Sequence, residues 1–240
     1  LKVRKMKFRS IIYLLIFIIW SLIVAITFLP LLFSKETSLW TIRFWSRGIL
    51  ISSNIFLKIN LKVNGQENIL KGPCIIAPQH QSSFETYILF LIIKRPVFVV
   101  KESLHKIPIV GWYIKRSGSI GIDRSGGLKS LKKVLYSMGK IIENNEQIII
   151  FPEGTRKEPT NYMKIQSGIS AIYSRSKLPV IPVTLNSGFF WRKNNIIKKR
   201  GTIIIDFGDP ILPGLDRKNF EIELAKRIRE KSLLIFNNKK

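Results

Sequence analysis

Cysteine is nearly missing: Cys74 stands alone in 240 residues, so no internal disulfide can brace the chain. Histidine is scarce as well, at two, and no paired Cys/His spacing of the zinc-binding kind occurs. Acidic residues are outnumbered, 15 Asp+Glu against 40 Lys+Arg, for a formal net charge of +25. No segment repeats at a fixed period and no low-complexity linker divides the chain. Gly (15) and Pro (11) are near ordinary usage and 46% of residues are hydrophobic, which excludes a collagen-like fibre and a disordered tail. The fold must stand on its core alone.

An AT-rich coding sequence enriches Lys, Ile and Asn together, so part of the basic excess carries no information about a partner. The rest attracts anionic surfaces, whether lipid headgroups, nucleic acid or phosphorylated substrates. The amino-terminal region narrows that choice. Residues 11–33 contain no charged side chain, and a helix of that length crosses a hydrocarbon core of ~30 Å. Lys2, Arg4, Lys5, Lys7 and Arg9 precede it, a positive-inside flank that predicts a cytoplasmic amino terminus. The run is longer than a signal-peptide core and no small-residue cleavage pattern follows it, which predicts a retained helix. Residues 36–59 set Trp40, Phe44, Trp45, Ile49, Phe56 and Leu57 among Arg43, Arg47 and Lys58, the pattern of an interfacial helix. Together they read as a hydrophobic hairpin, or as a span followed by a surface helix.

From residue 60 the pattern alternates. Strand-like runs fall at 73–78, 96–100, 118–122, 147–151, 178–185 and 201–208, with helical periods at 84–94, 126–144, 164–176 and 217–236. Short continuous β-branched runs separated by helices predict an α/β domain over 60–240, a mainly parallel central sheet flanked by helices. Residues 1–59 then form a separate membrane-associated helical segment.

In open α/β sheets chemistry collects at the carboxyl ends of the strands. Three polar clusters fall there: Gln79 to Glu85, Asp123 to Gly127, and Phe151 to Arg156. On one continuous helix His80 and Glu85 would lie about 140° apart and could not cooperate. With His80 in a turn and Glu85 in the first helical turn, the carboxylate reaches back to Nδ1 and leaves Nε2 free as a general base. The competing reading is a capping box, in which Glu85 only satisfies the Ser82 backbone N–H. Arg124 and Arg156, with Lys101 and the flexible Gly126, Gly127 and Gly154, form a basic edge suited to a phosphorylated substrate. His105 reads as a surface or boundary residue, and Cys74 as a small buried hydrophobe. The segment Phe189–Lys193 with Lys198–Arg200 could stack on bases or dip into a bilayer; the apolar amino terminus favours lipid.

Taken in order, these motifs resemble the glycerolipid acyltransferase superfamily, and within it the bacterial lysophosphatidic acid acyltransferases. The first block is similar to His-x4-Asp, written here as His80-x4-Glu85. The second is similar to Ile122-Asp123-Arg124, preceded by the turn from Lys101 to Gly111. The third is matched by Phe151-Pro152-Glu153-Gly154-Thr155-Arg156, and the fourth by Leu178 to Val183. The resemblance implies acyl transfer from an acyl carrier protein or coenzyme A thioester to the sn-2 hydroxyl of 1-acylglycerol 3-phosphate, giving phosphatidic acid. It implies His80 as base and Glu85 as its orienting carboxylate. It places Lys101, Arg124, Glu153, Gly154 and Arg156 on the glycerol phosphate, and Pro182 on the acyl-donor side. No metal, no cofactor and no nucleic-acid partner are expected, and membrane lipids are. The expected location is the cytoplasmic membrane with the catalytic domain facing the cytoplasm. Glu for Asp at position 85 is the departure from the pattern. Rival readings are another acceptor, such as a lyso-aminolipid or glycerol 3-phosphate, and a non-catalytic module that binds anionic lipid.

Overall fold

A computed structural model describes residues 2–123, 125–159 and 164–237. The chain opens with a helical hairpin. Helix α1 (Lys2–Thr27) meets a short 3₁₀ turn at Leu29–Leu31, where Pro30 fits because a first-turn N–H needs no partner. Helix α2 (Lys35–Ser52) starts at Ser34, whose hydroxyl accepts from Thr37 N–H while Thr37 Oγ1 accepts from Ser34 N–H, a reciprocal cap. Two tryptophans stitch the pair: Trp20 Nε1 donates to Trp45 O at 3.0 Å, and Trp45 Nε1 to Ser21 Oγ at 2.9 Å. A π-helical turn, Ser53–Leu57, ends at Lys58 in the left-handed region.

The body is a seven-stranded sheet: β1 (Ile59–Asn64), β2 (Cys74–Pro78), β3 (Pro96–Lys101), β4 (Ile120–Ile122), β5 (Gln147–Ile149), β6 (Val180–Leu185) and β7 (Gly201–Phe207). Their order is β1-β7-β6-β2-β5-β3-β4, and every adjacent pair is parallel except β6 and β7. The mainly parallel α/β reading therefore holds, with one reversal. The other helices are α3 (Phe84–Ile92), α4 (Val110–Arg116), α5 (Gly127–Glu143), α6 (Ser167–Ser176), α7 (Ser187–Phe190) and α8 (Arg217–Asn237).

Period-two alternation divides the core between the two faces of the sheet. Ile76, Phe98, Ile149, Ile181 and Val183 face the layer built from α1–α4. Ile75, Ala77, Val97, Ile148 and Val180 face α5, α6 and α8. Leu39, Ile42, Ile49 and Leu57 belong to the first of these clusters, so α2 spends its apolar side on protein. Arg43 departs from the interfacial expectation. Its guanidinium donates to Phe90 O at 3.0 Å, Ile93 O at 3.2 Å and Lys94 O at 2.6 Å, capping the carbonyls that α3 leaves unpaired at its end. In α1, by contrast, Leu14, Leu15, Ile18, Ile19, Leu22, Ile23 and Ile26 are exposed on one side, and Tyr13 and Val24 are buried on the other. Residues Arg4–Thr27 are long and apolar enough to cross a membrane.

Candidate active site

The parallel strands β2, β5, β3 and β4 are adjacent, so the segments that follow them share one edge of the sheet. His80 lies in the loop after β2, Lys101 closes β3, Asp123 follows β4, and Phe151–Arg156 follow β5. His80 sits in the irregular loop and Glu85 in the first turn of α3, the arrangement that brings them together. Nδ1 is 3.1 Å from Glu85 Oε1, and the carboxylate is fully buried.

Glu85 does more than orient the imidazole. Oε1 also accepts from Gln81 N–H at 2.8 Å and Ser82 N–H at 2.7 Å; Oε2 accepts from Ser82 Oγ at 2.5 Å and Ser187 Oγ at 2.7 Å. The helix-start reading and the histidine-partner reading thus describe one carboxylate serving both. The longer glutamate side chain lets Oε2 reach Ser187 beyond β6 while Oε1 keeps the histidine. Burial pushes its pKa up, but the hydrogen bond and charge of His80 and the Ser82 donors outweigh that and hold the carboxyl below its ordinary value.

The loop after β5 folds onto this pair. The Phe151 ring stacks on the His80 ring with centroids 4.0 Å apart, and Lys157 N–H donates to His80 O at 2.7 Å. A turn closed by Gly154 N–H to Phe151 O places Gly154 at φ +69°, a conformation that favours glycine. Glu153 is 7% exposed, and its Oε2 has no hydrogen-bond partner among the described residues. Burial first, and then the charge of Glu85, push its carboxyl up to about 8, so at neutral pH it is a neutral acid beside an ionised one.

His80 and Phe151 border a cavity of about 430 Å³. Its walls are mostly apolar and include Phe17 and Val24 of α1, Ile42 and Trp45 of α2, Tyr87 and Phe90 of α3, Phe98 of β3, and Tyr113 of α4. Lys101 borders it too, and its positive charge helps hold the exposed Asp123 below the usual carboxylate range, after the hydroxyl and N–H of Ser125.

Of the residues singled out from the sequence, His80, Glu85, Glu153 and Gly154 cluster, and Lys101 joins His80 on the cavity. Arg156 is half-buried, near enough for its charge to act on the Tyr87 hydroxyl. Arg124 lies outside the described residues. Pro182 is elsewhere. It pairs in register with Ala77 inside the sheet, its carbonyl accepts Gly208 N–H at 2.9 Å, and strand alternation turns it with Val180 to the face opposite the cavity. Sequence reasoning missed Ser187 and the cavity. Ser187 sits outside every motif block, and the cavity walls come from separated stretches whose convergence only the topology reveals.

A buried histidine–carboxylate pair opening on an apolar cavity, at the carboxyl edge of such a sheet, suits group transfer to or from a lipid. The chain belongs to the acyltransferase family: the family model described as Acyltransferase matches residues 60–186. More particularly, it is 31% identical over 179 residues to a 1-acyl-sn-glycerol-3-phosphate acyltransferase of Pseudomonas aeruginosa, covering 75% of this chain and 70% of that protein. It is 27% identical over 180 residues to the Saccharomyces cerevisiae protein of the same name, of which it spans 59%. The crystal structure of the 1-acyl-sn-glycerophosphate acyltransferase PlsC from Thermotoga maritima shares the fold, at a TM-score of 0.78 and 20% identity, covering 96% of this chain and 97% of that one. The family is the one that the order of the four motif blocks implied.

Proposed function

We propose that the protein esterifies the sn-2 hydroxyl of 1-acylglycerol 3-phosphate with an acyl chain from an acyl carrier protein or coenzyme A thioester, producing phosphatidic acid. The observation that carries this reading is His80, fixed through Nδ1 by Glu85 and bordering the apolar cavity. Nε2 takes the proton of the acceptor hydroxyl as its oxygen attacks the thioester carbonyl. The tetrahedral intermediate collapses, the C–S bond breaks, and the imidazolium returns the proton to the departing thiolate. Glu85 stabilises the imidazolium between those steps. The cavity receives an acyl chain, whose burial contributes about 0.8 kcal/mol per CH₂. The two substrates supply all the chemistry, with no further cofactor.

Lys101, Arg124 and Arg156 bind the acceptor phosphate as charge-assisted donors, with Glu153 and Gly154 shaping the glycerol end. In this reading the protein sits on the cytoplasmic membrane with its catalytic domain in the cytoplasm, which the apolar α1 and its basic flank support. Residues 1–59 act as the anchor and 60–240 as the catalytic unit, the anchor also contributing cavity wall. The test is an assay of purified protein with labelled acyl thioesters of both donor classes against a panel of lysolipids, beside His80→Ala. Transfer to 1-acylglycerol 3-phosphate, lost in His80→Ala with vesicle binding intact, is expected. Equal turnover in His80→Ala, or preference for a lyso-aminolipid, would refute the reading.

A further inference from the structure

The loop after α7, residues 191–200, lies beyond the family match, which ends at residue 186, and carries Arg192, Lys193, Lys198, Lys199 and Arg200. Because β7 runs antiparallel to β6, this loop stays at the sheet edge that holds His80. It is pinned in place: Lys198 N–H donates to Ser10 Oγ of α1 at 2.9 Å, and Lys199 N–H to Phe190 O at 2.8 Å. Trp191, 6% exposed, packs edge-on against Tyr13 at 5.4 Å and lies 5.5 and 6.3 Å from the rings of Phe84 and Tyr87, the two aromatics flanking Glu85 on α3. The Lys198 ammonium sits 5.0 Å from the centre of that indole and spends one hydrogen on Asn195 O at 2.5 Å. Its other hydrogens have no acceptor among the described residues.

Arg156 lies within electrostatic range of it: the same guanidinium charge acts on Lys198 and on the hydroxyl of Tyr87, whose ring is 6.3 Å from that of Trp191. Neither cation forms an ion pair among the described residues. Burial, and then the charge of Arg156, push the Lys198 ammonium down to about 8. Two half-buried like charges beside an apolar ring are unfavourable alone, and a dianion placed between them turns repulsion into attraction.

We propose that Lys198 and Arg156 form a phosphate clamp, with Trp191 as its dry floor. This rests on the acyltransferase reading and adds to it a binding residue from outside the motif blocks. A phosphate oxyanion is the ligand chemistry. The acceptor headgroup supplies it, and the phosphate of a pantetheine-type thioester is the other source.

The test uses full-length protein in neutral detergent micelles, so that general attraction to anionic lipid plays no part. Lys198→Met keeps the aliphatic stem on Trp191 and removes the charge; Lys198→Arg restores it. Selectivity for 1-acylglycerol 3-phosphate over phosphate-free 1-acylglycerol is expected to fall about 10- to 100-fold in Lys198→Met, through KM, and to return in Lys198→Arg. A loss that instead follows the donor, and vanishes with a phosphate-free thioester, assigns the clamp to the donor phosphate and equally supports it. Unchanged selectivity toward both substrates, or an equal loss with and without phosphate, overturns the clamp while leaving the enzyme an acyltransferase. Wild-type protein that transfers no acyl chain to any acceptor defeats the underlying reading and the clamp with it.

Discussion

Two buried carboxyl groups at this site are pushed in opposite directions. Glu85 is held ionised by five donors. In Glu85→Gln the amide oxygen can keep the two backbone N–H groups while the amide nitrogen faces Ser82 and Ser187, whose hydroxyls can rotate to accept. The variant is therefore expected to fold, yet to lose about 10²- to 10⁴-fold in kcat, because an amide cannot stabilise an imidazolium. Steady-state kinetics beside a thermal melt separate the two effects; normal turnover would reduce Glu85 to a helix cap. The depressed pKa of Glu85 stabilises the fold above its ordinary value of 4.5, and that contribution is lost as pH falls through the folded-state value. Glu153 has the opposite sign. With its pKa raised from 4.5 to about 8, its favourable contribution is complete below pH 4.5 and is lost as pH rises to about 8. Glu153→Gln is therefore expected to gain stability over wild type by up to about 1.4 kcal/mol per pH unit across that window, read from denaturant melts at pH 5 and pH 8. A constant difference would mean that the carboxyl titrates normally. The His80–Glu85 contact was legible in the sequence because a loop followed by a helix start lets the carboxylate reach back to Nδ1, although the same spacing also fitted a helix cap and the structure shows both contacts. Ser187 was not, because its contact with Glu85 spans 102 residues and its neighbours carry no pattern.

Helices α1 and α2 serve the site as well as the surface. Phe17, Ser21, Val24 and Ala25 of α1 line the cavity, so removing residues 1–34 opens it to solvent. That truncation is expected to stay partly membrane-bound through the remaining aromatic and basic segments, and to lose transfer activity even where it binds. Vesicle sedimentation and turnover per bound molecule check both arms, and full activity in the truncated protein would detach α1 from the cavity. Ala25→Phe adds bulk to the same wall and is expected to shift the donor preference toward shorter chains, read from the product ester distribution. An unchanged distribution would place the acyl chain elsewhere. At this scale the sequence pattern located most elements. It did not separate an interfacial helix from a packed one, because both need one apolar side and Arg residues along the other. Only the carbonyls at the end of α3 show which role Arg43 has.

The charge of the whole molecule predicts how the membrane is met. With a net charge of +25, binding to anionic vesicles is expected to weaken steadily with salt, while the apolar α1 keeps a salt-insensitive remainder. Binding curves from low to high salt check it, and a flat curve would make the basic excess irrelevant to lipid. The parallel character of the sheet was legible in its continuous β-branched runs. Its order was not, and β1 escaped notice because Ile59–Asn64 alternates polar with apolar and lies at the edge. That edge position matters during synthesis. Among the described residues the only partner of β1 in the sheet is β7, and Asn64 waits for Asp206, 142 residues later in the chain. At ribosomal speeds of about 5–20 residues per second the delay is on the order of ten seconds. Through that interval β1 is an open strand edge, already tethered behind an apolar helix that has left the ribosome first. Early capture of α1 by a bilayer would hold the unfinished sheet away from other nascent chains, a protection that the proposed anchor would give before any catalysis begins.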